Sequence, residues 1–282
     1  AGLALIGLLM QTLFRNPLAG PSVLGISSGA SLGVALVFLS ATGGASGLRF
    51  TEGIGLYGRM GIVAASGAGA AGVLAVILVM ARWVDNVMTL LIIGILSGFA
   101  INAAVSVLIH FSVAELIQAY VTWTFGSFGA TTWNDLALFT PLMALGIAGC
   151  QLLRKPLNGL LMGENYAQSM GLHIGFLRLV IIGLTALLTG SVTAFCGPVA
   201  FIGVAVPHLA RVVMDTSDHR RLLPTTALVG ALVALAADLI AQLPGSQAVL
   251  PLNAVTALIG SPVIVWFIMR RRNLQQTFGG AS

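Results

Sequence analysis

Residues 11–31 read QTLFRNPLAGPSVLGISSGAS, and their reading decides the fold. An apolar run, Gly2 to Phe14, stops at Arg15-Asn16-Pro17. A short turn through Leu18, Ala19, Gly20 and Pro21 follows, and then a second apolar helix studded with glycine and serine. Pro17 and Pro21 each remove a backbone donor and bias the preceding residue away from helix. Gly25, Ser27, Ser28, Gly29 and Gly33 let a neighbouring backbone approach closely. A helix broken by a polar turn is tolerated at membrane depth only inside protein or beside a water-filled cavity. Asn16, Pro17, Gly20, Pro21, Gly25, Ser27, Ser28 and Gly29 are therefore candidates for a transport pathway. A plain loop between two spans is the competing reading.

Hydrophobic residues make up 57% of the 282 and charged residues only 7%, against about 25% charged in soluble domains. So little charge cannot solvate a surface of this size, and the chain reads as an all-α, polytopic transmembrane helical bundle. The residue-by-residue alternation of a membrane β-barrel is missing, which leaves helices. The net charge of +5 is spread singly or in short clusters at the ends of apolar runs, which marks topology and not nucleic-acid binding. Cys150 and Cys196 fall in or beside apolar runs and are expected as inert free thiols. The sequence starts inside an apolar segment with no Met, n-region or cleavage site, so a lost beginning that included one more span is expected.

Nine apolar segments follow one another: 1–14, 22–40, 60–81, 88–111, 134–153, 175–194, 198–213, 224–242 and 252–269. Arg270, Arg271 and Arg272 end the last, and such clusters are normally cytoplasmic. Counting back puts Arg15, Arg82, Arg154, Lys155, Arg178, Arg211, Arg220, Arg221 and that triplet inside, 11 of the 13 Lys+Arg, with only Arg49 and Arg59 outside. The opposite orientation inverts that ratio, so a cytoplasmic C-terminus is expected. With one span before Ala1, the whole is a ten-helix bundle forming a single domain, of which this chain carries nine.

Three connecting stretches are long enough to have a task. The outer loop 41–59 carries Arg49, Glu52 and Arg59, candidate anchors for a docking protein or plain markers of the membrane boundary. The outer stretch 112–133 has helical spacing at Val113, Leu116, Ile117, Tyr120 and Val121, with Trp and Phe residues suited to the membrane interface. The third, 154–174, reads as two very short helices broken at Gly163 and Gly171. It is too polar to span and too apolar to be free, and it needs a partner to cover Leu160, Leu161, Met162, Tyr166 and Met170. An interfacial helix lying on the bilayer is the alternative. A faint internal echo pairs the Gly20-Pro21 stretch with Gly197-Pro198, as opposed repeats would.

The sole lysine, Lys155, lies between Arg154 and Pro156, so no phosphate-binding Gly-Lys-Ser/Thr loop exists and ATP hydrolysis is not expected on this chain. No His-Glu-x-x-His or Cys-x-x-Cys spacing suggests a metal. Gly94 and Gly98 form a small-residue packing face. Asn102, His110, His208 and Asp238 are the polar groups inside the segments. His110 and Asp238 sit near span ends and can reach the interface; His208 and Arg211 are read as shaping a helix exit.

Several motifs now agree with one family. Gln11-Thr12-Leu13-Phe14-Arg15-Asn16-Pro17-Leu18-Ala19 with Leu24-Gly25-Ile26-Ser27-Ser28-Gly29-Ala30 resembles the FecCD-type permeases. So do the stretch Trp123 to Trp133, Phe201-Ile202-Gly203 to Pro207-His208-Leu209-Ala210-Arg211, Asp218-His219-Arg220, Leu222-Leu223-Pro224 and Val255-Thr256-Ala257-Leu258-Ile259-Gly260. Those permeases are membrane subunits of bacterial ABC importers for iron-siderophores, haem and cobalamin. The resemblance implies ten helices, a second permease copy, two cytoplasmic ATPase subunits that use the ATP, a substrate-binding protein and the inner membrane. It places the ATPase contact on 154–174, centred on Gly163, Glu164, Asn165, Tyr166, Ala167, Met170 and Gly171. An iron(III)-siderophore is the expected cargo, with haem or cobalamin as alternatives. The departure is at the start, where the first helix and the Arg-containing segment before the second are missing. An ion-coupled transporter and an intramembrane enzyme are the rival classes; no paired nucleophile and base supports the second.

Overall fold

A computed structural model describes residues 1–39, 56–80, 83–84, 87–129, 131–242 and 249–270. Among the described residues every regular element is helical. In order they are α1 (Gly2–Leu13), a 3₁₀ turn (Pro21–Leu24), α2 (Ile26–Leu39), α3 (Leu56–Met80), α4 (Val87–His110), α5 (Ala114–Thr124) and α6 (Trp133–Leu152). Then come α7 (Arg154–Leu161), α8 (Glu164–Ser169), α9 (Ile174–Cys196), α10 (Ile202–Met214), α11 (His219–Ala241) and α12 (Leu252–Arg270).

All nine apolar segments are helical, but they fall into two classes. Five are long and apolar enough to cross a membrane: Gly61–Met80, Met88–His110, Trp133–Leu152, Ile174–Cys196 and His219–Ala241. Gly2–Leu13, Ile26–Leu39, Ile202–Met214 and Leu252–Val265 are shorter apolar helices. Helix α1 comprises 12 residues, Gly2–Leu13. All of them are buried. A helix that is apolar all round is either a core helix or a membrane span, and this one is covered by neighbouring helices. Both Gly-Pro stretches act as helix stops: Gly25 (φ 69) precedes α2, and Gly197 (φ 76) with Phe201 (φ 65) precedes α10.

The contacts divide the chain into two compact units, residues 1–20, 147–181 and 200–282, and residues 21–146 and 182–199. Helices α6 and α9 run from one unit into the other, and both Gly-Pro stretches coincide with a boundary.

In the first unit α1 is the centre, packed on α10, α11 and α7. Gly7 faces Gly203 so closely that a Cβ on Gly7 would overlap the Gly203 carbonyl. One turn earlier, a Cβ on Gly230 of α11 would lie 2.6 Å from the Ala4 methyl. Lipid offers little hydrophobic gain for helix association, so van der Waals contact between small residues supplies the attraction.

The second unit repeats that device. Helix α2 crosses α3 where Gly29 and Gly33 meet Gly69 and Ala65. Gly25 rests against Gly94 and Gly98 of α4, the small-residue face expected there. Val34, Ala35, Phe38 and Leu39 then join Val105, Leu116 and Tyr120 in a core that holds α5 down. The loop after α5 is pinned by Ser127 N donating to Cys196 O at 2.8 Å. Gly126 (φ 71) and Gly197 make that approach possible, since a Cβ on Gly197 would lie 2.8 Å from Trp123 O. Cys150 and Cys196 are both free and buried.

Gly7→Val should strongly destabilise the protein, because the added carbons must drive α1 and α10 apart at a cost of about 1–3 kcal/mol or more. Gly72→Ala, with open space around it, should be neutral or stabilise by up to about 1 kcal/mol through helix propensity. Thermal unfolding in detergent separates them; equal melting of Gly7→Val and the parent would remove this contact from the account.

Candidate functional site

The segment after α6 builds a small platform. In α7 the apolar residues Leu157 and Leu160 recur at three-residue spacing and are buried, while Arg154 and Lys155 face solvent. Gly163 (φ 114) turns the chain into α8, and Gly171 (φ 85) turns it out again, as the two expected breaks require. A Cβ on Gly163 would approach an Arg15 guanidinium nitrogen to 3.3 Å. Arg15 also donates from Nη2 to Leu160 O at 3.3 Å, so the turn after α1 and this platform lie together.

The platform presents fewer apolar residues than the sequence suggests. Leu160 (3% exposed) and Ala167 (0%) point inward. Ala167 packs over Gly159, where a Cβ would meet Leu172 and Met170 instead of open space. Leu161, Met162, Tyr166 and Met170 remain exposed, Tyr166 at 48% and Met170 at 53%. Asn165 and Gly171 are exposed beside them. Glu164, half-exposed, meets the buried Arg178 of α9 at 3.8 Å.

Behind the platform lies a polar layer that closes the end of α1. The Gln11 amide donates to Val204 O at 3.1 Å and accepts from Arg211 Nη1 at 2.7 Å. His208 Nε2–H donates to Pro17 O at 2.7 Å, which fixes the turn that the sequence marks as a helix break. His208 and Arg211, read from the sequence as shaping the exit of α10, instead bond the end of α1 and the turn after it. Asp218 caps α11 by accepting from Arg220 N at 2.9 Å and also accepts from Asn158 Nδ2 at 2.6 Å. The Arg220 N–H, and after it the Asn158 amide, hold the Asp218 carboxyl below the ordinary range. His219 is 1% exposed, and its ring bonds Asn158 Oδ1 and Thr12 Oγ1, each at 2.9 Å.

The helix-break residues divide. Asn16 Oδ1 accepts from Leu18 N at 2.9 Å, a local turn that leaves Asn16 and Pro17 half-buried. Gly20 and Pro21 are buried, and Gly25 and Gly29 are consumed by helix contacts, while Ser27 and Ser28 stay half-buried. Asn102, Ser106 and His110, four residues apart on α4, are exposed along one face. Asp238 accepts from Gln242 Nε2 at 2.7 Å near the end of α11. Arg49 and Glu52 lie outside the described residues, as does the side chain of Arg59. Sequence reasoning quoted Asp218-His219-Arg220 as a motif but missed what it binds. The signal was an Asp before a helical run, the pattern of an N-cap.

The profile of the FecCD transport family matches residues 1–270. The vitamin B12 import system permease protein BtuC of Citrobacter koseri is 35% identical over 275 residues, covering 96% of this chain and 78% of that protein. BtuC of Klebsiella pneumoniae subsp. pneumoniae is likewise 35% identical over 272 residues, with 96% and 78% covered. A solved metal-chelate type ABC transporter in an inward-facing conformation superposes with a TM-score of 0.83 at 30% identity, covering 95% of this chain and 82% of that one. PsaBC from Streptococcus pneumoniae, solved with a Fab, shares the fold at a TM-score of 0.59 and 16% identity, covering 98% and 90%.

Proposed function

As this chain belongs to the FecCD transport family, we propose that it is the membrane-spanning permease subunit of a binding-protein-dependent ABC importer of cobalamin. The observation that carries the choice of cargo is the 35% identity to vitamin B12 import permeases over 96% of the chain. An iron(III)-siderophore, the cargo expected from the sequence, is the second reading, supported by the metal-chelate type transporter that shares the fold at 30% identity. A corrinoid is large and rich in amide donors and acceptors. Asn102, Ser106 and His110, exposed on one face of α4, offer hydrogen-bonding side chains spaced along such a path.

The chain itself does no chemistry. In this reading two permease copies enclose the path, a substrate-binding protein delivers cargo from outside, and two ATPase subunits consume ATP on the cytoplasmic side of the inner membrane. Arg49, Glu52 and Arg59 are the proposed contacts for the binding protein. The ATPase grips the platform at 154–171, where Tyr166 and Met170 are the exposed apolar knobs. ATP binding and release shift the pair of permeases between outward- and inward-open states, because the contacts differ in each.

Two measurements test this. Reconstituted with its ATPase and binding protein, the permease should take up cobalamin in an ATP-dependent, saturable way, at least about tenfold faster than ferric siderophore or haem. Faster ferric siderophore uptake would move the assignment to the second reading, and uptake indifferent to ATP would end both. Tyr166→Asp with Met170→Asp should leave a folded permease that still docks its binding protein but neither transports nor stimulates hydrolysis. Normal transport by that double variant would put α8 on the lipid surface.

A further inference from the structure

One platform side chain, Asn158, makes three hydrogen bonds to the start of α11. Asn158 Nδ2 donates to Asp218 Oδ1 at 2.6 Å, while its Oδ1 accepts from His219 N at 2.8 Å and faces His219 Nδ1 at 2.9 Å. A carboxylate only accepts, so the bond to Asp218 fixes which end of the amide is nitrogen. The oxygen therefore faces His219, and Nδ1 must carry the ring proton that reaches it. The other ring nitrogen, Nε2, lies 2.9 Å from Thr12 Oγ1 on α1. Thr12 has a single hydroxyl proton and two partners at 2.9 Å, Leu8 O and His219 Nε2. It can turn from one to the other without moving a heavy atom.

Thr12 and His219 are 3% and 1% exposed, so these bonds do not compete with water. Arg15 also reaches Leu160 O at 3.3 Å, and Glu164 meets Arg178 at 3.8 Å. Helix α1, at the far end of the chain of bonds, is fully buried and set against α10 through Gly7 and Gly203.

We infer that Asn158, His219 and Thr12 form a hydrogen-bonded relay that transmits movement of the ATPase-binding platform to the buried helix α1. The inference rests on the reading of 154–171 as the ATPase seat, and the three are positioning residues that touch neither nucleotide nor cargo. Coupling can be carried by packed contacts and hydrogen bonds, and the Thr12 hydroxyl can exchange Leu8 O for His219 Nε2 as the ring moves.

The test uses the whole importer in proteoliposomes, with ATPase subunits and binding protein, and reads cobalamin transported per ATP hydrolysed. Thr12→Val keeps the side-chain shape and removes the hydroxyl; Thr12→Ser keeps the hydroxyl; Asn158→Leu cuts the relay at the platform. In Thr12→Val and Asn158→Leu the ratio should fall about tenfold while ATPase subunits stay bound and hydrolysis persists. Thr12→Ser should restore the ratio to within about twofold of the parent. A parental ratio in assembled Thr12→Val overturns the relay, as does a loss that Thr12→Ser shares equally, since that marks a packing defect. Should Asn158→Leu fail to assemble, Thr12→Val decides alone. ATPase subunits that remain bound after Tyr166→Asp with Met170→Asp would instead sink the seat on 154–171.

Discussion

The backbone of α1 lies directly against that of α10 at Gly7 and Gly203, with no room for a side chain between them. Much of the first unit follows from that contact. A helix held so closely has no surface of its own, so the polar residues of its last turn must find partners inside the protein. Gln11 finds Arg211 and Val204 O, and Thr12 finds Leu8 O and His219. The chain must then escape, and it does so through a turn whose carbonyl at Pro17 is held by His208. The cluster of basic and polar groups at this end is thus the consequence of burying α1, not a decoration of the surface.

The second unit solves the same problem with fewer polar groups. Gly29, Gly33 and Gly69 bring α2 and α3 into backbone contact, and Gly25 does the same against α4. Close contact maximises dispersion where hydrophobic transfer contributes little, and each added methyl would cost more than it gains. Gly25, Gly29 and Gly33 thus each sit in a helix contact. Asn102, Ser106 and His110 of α4 are exposed along one face.

The nine apolar segments, the two short helices at 154–161 and 164–169 and their glycine breaks were legible because each depends on local composition and backbone chemistry. The burial of α1 was not legible, because an apolar run against lipid and one inside protein have the same periodicity. Leu160, expected to need a partner's cover, is buried within the chain, since a helix of one or two turns gives too few residues to define its inner face. The Asn158–His219–Thr12 contacts join residues up to 207 apart in sequence, and no local signal encodes that. Only the capping role of Asp218 had a readable signature.

Platform and polar layer acquire their meaning from the side of the membrane they occupy and from what covers Tyr166. The most direct measurement places a cysteine at Tyr166, which is exposed, in a chain whose own Cys150 and Cys196 are buried. A membrane-impermeant maleimide should label it in inside-out vesicles and not in right-side-out vesicles, and bound ATPase subunits should protect it. Labelling from the outer face, or labelling that the ATPase leaves unchanged, would contradict the account.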